Sequence, residues 1–177
     1  MTVRRATLAD IPRVVDIYDR VLTEEESGRT ATGWIRGIYP RLETAMDALN
    51  AGTLFVLERD GETAAAAKID QNQVPEYANA NWKHPDAPPG QVLVLHTLVV
   101  DPQEAGKGCG TEFVRFYEEY ALNHGCHFLR MDTNARNNAA RRLYARLGYR
   151  EAGIVPCVFN GIPDVQLVCL EKTLKTK

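Results

Sequence analysis

The segment QEAGKGCG, residues 103–110, sets Gly106, Gly108 and Gly110 alternately in one short run. Glycines there let the chain turn tightly and bring its backbone close to a ligand. A helix that starts at such a turn presents unpaired N–H groups and the positive end of its dipole, a setting suited to a pyrophosphate. Lys107 would add a mobile positive charge. Two better-defined phosphate motifs do not fit. A Walker A loop needs G-x-x-x-x-G-K-S/T, and the fingerprint G-x-G-x-x-G meets Thr111 at its third glycine. Q-x-x-G-x-G is left, either a phosphate cradle or a glycine-rich turn that holds nothing.

Three other residues could take part in chemistry. His96 sits inside the otherwise apolar VLVLHTLVV. It is either a histidine satisfied in the core or a base whose unperturbed pKa of about 6.5 suits proton transfer near neutrality. Strand alternation places it on one face with Leu98 and Val100 unless a bulge intervenes. Asn137 and Tyr144 are seven apart, so on a helix they share a side, roughly 10 Å apart along the axis. On pattern alone Tyr144 belongs to that helix's apolar stripe, with Ala140, Leu143 and Leu147.

These residues need elements to position them. A strand is expected over 2–6, then a helix started by Thr7 and Asp10 and running to about Glu25. Residues 26–37 read as a loop or broken helix and Pro40–Asn50 as a second helix. Thr53–Glu58 and Glu62–Asp70 form a hairpin across Asp60-Gly61. The long connection 71–90 precedes a buried strand over Gln91–Val100. A helix follows over Gly108–His124, then a strand over His127–Thr133 and a helix over Asn137–Leu147. Strands over Tyr149–Val155 and Val165–Glu171, separated by an Asn160-Gly161 turn, close the series. The order β-α-α-β-β-β-α-β-α-β-β predicts an α/β fold with a mixed sheet. A length of 177 residues suits one domain over 1–177.

Composition removes several classes. The formal net charge of −2 provides no chain-wide basic footprint for nucleic acid. No stretch has the length of a membrane span, and the N-terminus lacks a signal-peptide core, so no membrane partner and a cytoplasmic location are expected. Cys109, Cys126, Cys157 and Cys169 form no C-x-x-C pair. They read as reduced, mostly buried thiols, with no metal site.

LHTLVVDPQEAGKGCG resembles the coenzyme-A motif of the GCN5-related N-acetyltransferase (GNAT) family, Q/R-x-x-G-x-G/A, and NNAARRLYARLGY resembles that family's second signature. VRRATLADIPRVVDIY is similar to its first strand and helix. The resemblance implies a mixed, strongly twisted central sheet with flanking helices, whose middle strands, here Gln91–Val100 and His127–Thr133, splay apart around acetyl-CoA. It assigns Leu98, Val99 and Val100 to the pantetheine arm, and Gln103, Gly106, Lys107, Gly108, Gly110 and Thr111 to the pyrophosphate. It gives Asn137 to coenzyme-A binding. It makes the Val100 N–H the donor to the thioester oxygen and Tyr144 the acid that protonates the departing thiolate. His96 stands where relatives often carry a glutamate base.

The implied reaction is transfer of an acetyl group from acetyl-CoA to a primary amine, on a small molecule, by direct attack in a ternary complex. A non-catalytic coenzyme-A-binding module, or an enzyme acting on protein amines, is the alternative. Trp34, Tyr39, Tyr77 and Trp82, with Glu24, Glu25, Glu26 and Glu76, are candidates for an aromatic, acidic acceptor pocket. The resemblance also makes a homodimer possible.

Overall fold

The structure is a computed structural model that describes residues 1–175. Strand β1 (Thr2–Arg5) leads into helix α1 (Ile11–Glu26), and Pro12 occupies its first turn, where no N–H is needed. Asp10 holds the entry: its Oδ2 accepts the Thr7 N–H at 2.7 Å, and Arg4 grips both carboxylate oxygens at 2.9 Å. Helix α2 (Leu42–Asn50) begins two residues later than expected, after Pro40. Strands β2 (Leu54–Arg59) and β3 (Glu62–Asp70) turn through Asp60 and Gly61, both with positive φ, as a two-residue hairpin requires. Strand β4 (Val92–Val100) feeds the glycine turn and helix α3 (Cys109–Asn123). Strand β5 (Phe128–Asn134), helix α4 (Asn138–Arg146), and strands β6 (Arg150–Phe159) and β7 (Ile162–Thr173) complete the chain.

The last two strands are longer than expected and close directly on the Asn160-Gly161 turn. Pro156 and Pro163 look like breakers in the sequence. Pro156 is tolerated because β6 is an edge strand, and Pro163 sits beside Asp164, whose φ of 57° marks an irregular point.

The sheet order is β1-β2-β3-β4-β5-β7-β6. All neighbours are antiparallel except β4 and β5. Helices α3 and α4 cover one face through Phe113, Val114, Tyr117 and Tyr144. On the other face α1 and α2 cover the first half of the sheet, and Tyr77 and Trp82 of the 71–90 connection cover the second.

The parallel pair carries the feature that matters for function. Its rungs run from Val92↔Phe128 to Leu95↔Met131 and stop there, although β4 continues to Val100 and β5 to Asn134. Past that point β4 pairs only with β3, and β5 only with β7. The middle strands therefore splay into a wedge, as expected. Just below the opening, the buried Tyr117 hydroxyl lies 2.6 Å from Leu93 O and 3.2 Å from Arg130 O, tying β4 to β5.

Candidate active site

The wedge opens into a cavity of about 1130 Å³, lined by the ends of β4 and β5, the first turn of α4, α2 and the loop after α1. His96, Leu98, Val99, Val100, Asn137 and Tyr144 all line it. Asp101 donates its backbone N–H to Ala64 O on β3 at 2.8 Å. Strand N–H groups alternate in direction, so that of Val100 points the other way, into the gap that β5 has left.

The placement of His96 corrects one expectation. Ala66 pairs with Val99 while Lys68 pairs with His96, so β4 carries one extra residue, and Thr97 takes a φ of 53°. This bulge puts Leu98 and Val100 against the α3–α4 core and turns His96 to the opposite face, with Val99. Nothing in VLVLHTLVV marks the bulge, because every alternation of that run is apolar.

His96 Nε2 lies 2.9 Å from Asp70 Oδ1. Burial alone would push the Asp70 carboxyl up. Hydrogen bonds from His96, the Asn72 N–H and Lys68 outweigh it and hold the acid well below the usual carboxylate range. In the neutral ring an ionised Asp70 selects the tautomer in which Nε2 donates to the carboxylate and Nδ1 carries the lone pair. Across the wedge, Asp132 accepts the Tyr77 hydroxyl at 2.7 Å. Burial pushes its carboxyl up to about 6, against the lowering pull of Tyr77 and His96.

Tyr144 is both core and wall. Its ring meets Tyr149 edge-on at 6.0 Å and packs with the α3–α4 core, while the residue also lines the cavity. Burial pushes its phenol up. Asn137 is the N-cap of α4, its Oδ1 accepting the Ala140 N–H at 3.2 Å, which leaves the amide NH2 as its free donor.

The glycine turn stands at the mouth of the cavity. Pro102 and Ala105 line it, and Gln103, Gly106, Lys107, Gly108, Gly110 and Thr111 lie just outside that lining. Gly106 and Gly108 have φ of 75° and 85° with open space where a Cβ would be, so conformation requires them and a ligand can approach. Gly110 serves packing instead: a Cβ there would come within 3.2 Å of Leu143 Cδ2 on α4. Lys107 is not the free charge expected, because its Nζ is paired with Glu104 at 2.9 Å, and Arg59 holds the same carboxylate at 2.7 Å. Beneath the turn, buried Asp101 caps Gln103 N–H at 2.9 Å and takes Arg13 and Arg20 from α1.

The expected acceptor surface divides. Trp34 and Tyr39 line the cavity, and Tyr39 hydrogen-bonds Thr97 at the bulge. Tyr77 and Trp82 do not line it. They are buried core residues, Trp82 under the Arg130 guanidinium at 4.2 Å. Three of the four glutamates are engaged locally, Glu24 with Arg29, Glu26 with Arg36, and Glu25 with the Thr32 and Gly33 N–H groups, and Glu76 is not part of the cavity lining. An aromatic in a polar loop looks like a binding surface until tertiary packing covers it.

The model of the GNAT acetyltransferase family matches residues 16–149, most of the chain. This chain belongs to the GNAT family. The L-methionine sulfoximine/L-methionine sulfone acetyltransferase of Pseudomonas paraeruginosa is 27% identical over 159 residues, covering 89% of this chain and 84% of that one. A GNAT-family acetyltransferase of Streptococcus agalactiae superposes with a TM-score of 0.82 at 21% identity, over 99% of this chain and 96% of the other. The yncA protein of Salmonella typhimurium, solved with its cofactor acetyl-CoA, gives 0.71 at 20% identity, over 100% and 95%.

Within this GNAT chain three contributors were not expected from the sequence. Asp132 appears there as one polar residue in an alternating strand, and Asp70 as a strand end. Tyr117 reads as core, and only the fold shows its hydroxyl bridging two strands. Among the described residues, no helix is long and apolar enough to cross a membrane.

Proposed function

We propose that the chain transfers the acetyl group of acetyl-CoA to the primary amine of a small molecule, by direct attack in a ternary complex. The observation that carries this reading is the wedge itself. One cavity gathers the edge of β4 that β5 has left, a histidine held by Asp70 and a tyrosine wall. The glycine turn and the start of α3 supply N–H groups for the pyrophosphate, and Leu98–Val100 pair with the pantetheine arm. The Val100 N–H stabilises the oxyanion of the attacked thioester, a contribution of roughly 3 kcal/mol to the barrier.

The protons balance as follows. The ammonium gives one proton to His96 Nδ1 and on to solvent. Its nitrogen then forms the C–N bond, the C–S bond breaks, and Tyr144 protonates the thiolate. The second proton from nitrogen restores Tyr144.

Fluorescent or colorimetric thiol release from acetyl-CoA across a panel of amines tests this. The panel includes L-methionine sulfone and L-methionine sulfoximine, the substrates in the name of the Pseudomonas relative, with polyamines and peptides as comparisons. Amine-dependent release with a small molecule is expected. Coenzyme-A binding without release on any amine would overturn the reading in favour of a non-catalytic module, and release on peptides alone would move it to protein amines.

A further inference from the structure

Resting on the acetyl-transfer reading, we infer that Asp132 anchors the ammonium group of the acceptor, seating its nitrogen between the Asp132 carboxylate and His96 Nδ1. The argument begins with register. Leu95↔Met131 is the last rung between β4 and β5, so His96 and Asp132 are the first residue on each strand beyond the point of parting. They also share a face: Val94 and Arg130, two residues back on each strand, both belong to the side covered by the 71–90 connection. The two groups face one another at the apex of the wedge.

Charge supplies the second step. Two other carboxylates along the cavity have cations, Asp70 with Lys68 and Glu24 with Arg29. Among the described residues, Asp132 has no basic side chain in ion-pair contact, and its one hydrogen bond is to Tyr77, through Oδ2. Its Oδ1 is left for a donor. A half-buried anion without a cation is disfavoured, and a cationic ligand relieves that cost. A primary ammonium has three donors. One to Asp132 Oδ1 and one to His96 Nδ1 fix its orientation, and the second of these is the proton that leaves.

The titratable groups facing Asp132 are His96 on β4, Tyr77 and Glu76 in the 71–90 connection, Tyr144 on α4, Tyr39 before α2, and Cys157 and Cys169 on β6 and β7. Its carboxyl is held up to about 6, chiefly by burial, and Tyr77 pulls it down. The anchor is therefore lost as pH falls through that value.

The test is steady-state kinetics of Asp132→Asn with the fastest amine of the panel above. Acceptor KM should rise at least tenfold while acetyl-CoA KM stays within twofold. Tyr77→Phe is the second variant. It leaves the carboxylate in place but removes the hydrogen bond that lowers its pKa, so acceptor KM should rise several-fold at pH 6.5 and match wild type at pH 8.5. If Asp132→Asn does not fold, Tyr77→Phe decides alone. Unchanged acceptor KM in Asp132→Asn, or a pH-independent Tyr77→Phe, would overturn the anchor while leaving acetyl transfer intact. A wild type with no amine-dependent thiol release would instead remove the reading on which it rests.

Discussion

At the scale of residues, the proposed chemistry divides labour between two ends of one cavity. His96 is oriented by Asp70 through Nε2, and its Nδ1 is the proposed proton acceptor. His96→Gln should lower kcat/KM about 100-fold, the lower end of what a general base contributes, with acetyl-CoA KM unchanged. A normal rate and pH profile in that variant would remove His96 from the chemistry. Tyr144 is proposed as the acid at the other end. Tyr144→Phe should reduce kcat on the order of 100-fold while Tm holds, because its ring keeps its contacts with the core. Asn137 and Tyr144 were legible in the sequence because the second motif spaces them seven residues apart. The face of His96 was not. A bulge adds one residue to β4, and period-two counting then gives the wrong side for everything beyond it.

Local rules placed the elements and left their junctions open. The Asp60-Gly61 and Asn160-Gly161 turns were readable because a two-residue hairpin needs positive φ at both positions. The partners of Asp101, Tyr117 and Lys107 were not, because each lies far away in sequence or depends on how a turn is folded. Two predictions belong here. Gly108→Ala forces a Cβ onto a φ of 85°, so it should cost about 1–2 kcal/mol and raise acetyl-CoA KM several-fold, read by denaturant titration and kinetics. Tyr117→Phe removes the hydroxyl that ties β4 to β5 below the wedge, and should destabilise the fold by roughly 1–2 kcal/mol in the same titration. A Tyr117→Phe protein as stable as wild type would show that the four rungs of the parallel pair hold the base of the wedge unaided.

For the molecule as a whole, the mixed sheet and its splay followed from the order of elements and the family resemblance, and the wedge is where they lead. Its cavity of about 1130 Å³ reaches from the glycine turn, past Val100 and His96, to Trp34 and Tyr39. That is room for the end of a coenzyme and a compact amine together. Among the described residues no cysteine lines it. Direct transfer between two bound substrates is the course proposed for it. Initial velocities measured over a grid of acetyl-CoA and amine concentrations test this most directly. Double-reciprocal lines that intersect are predicted, since both substrates must occupy the wedge before either product leaves. Parallel lines, with exchange of label between acetyl-CoA and coenzyme A in the absence of amine, would contradict it.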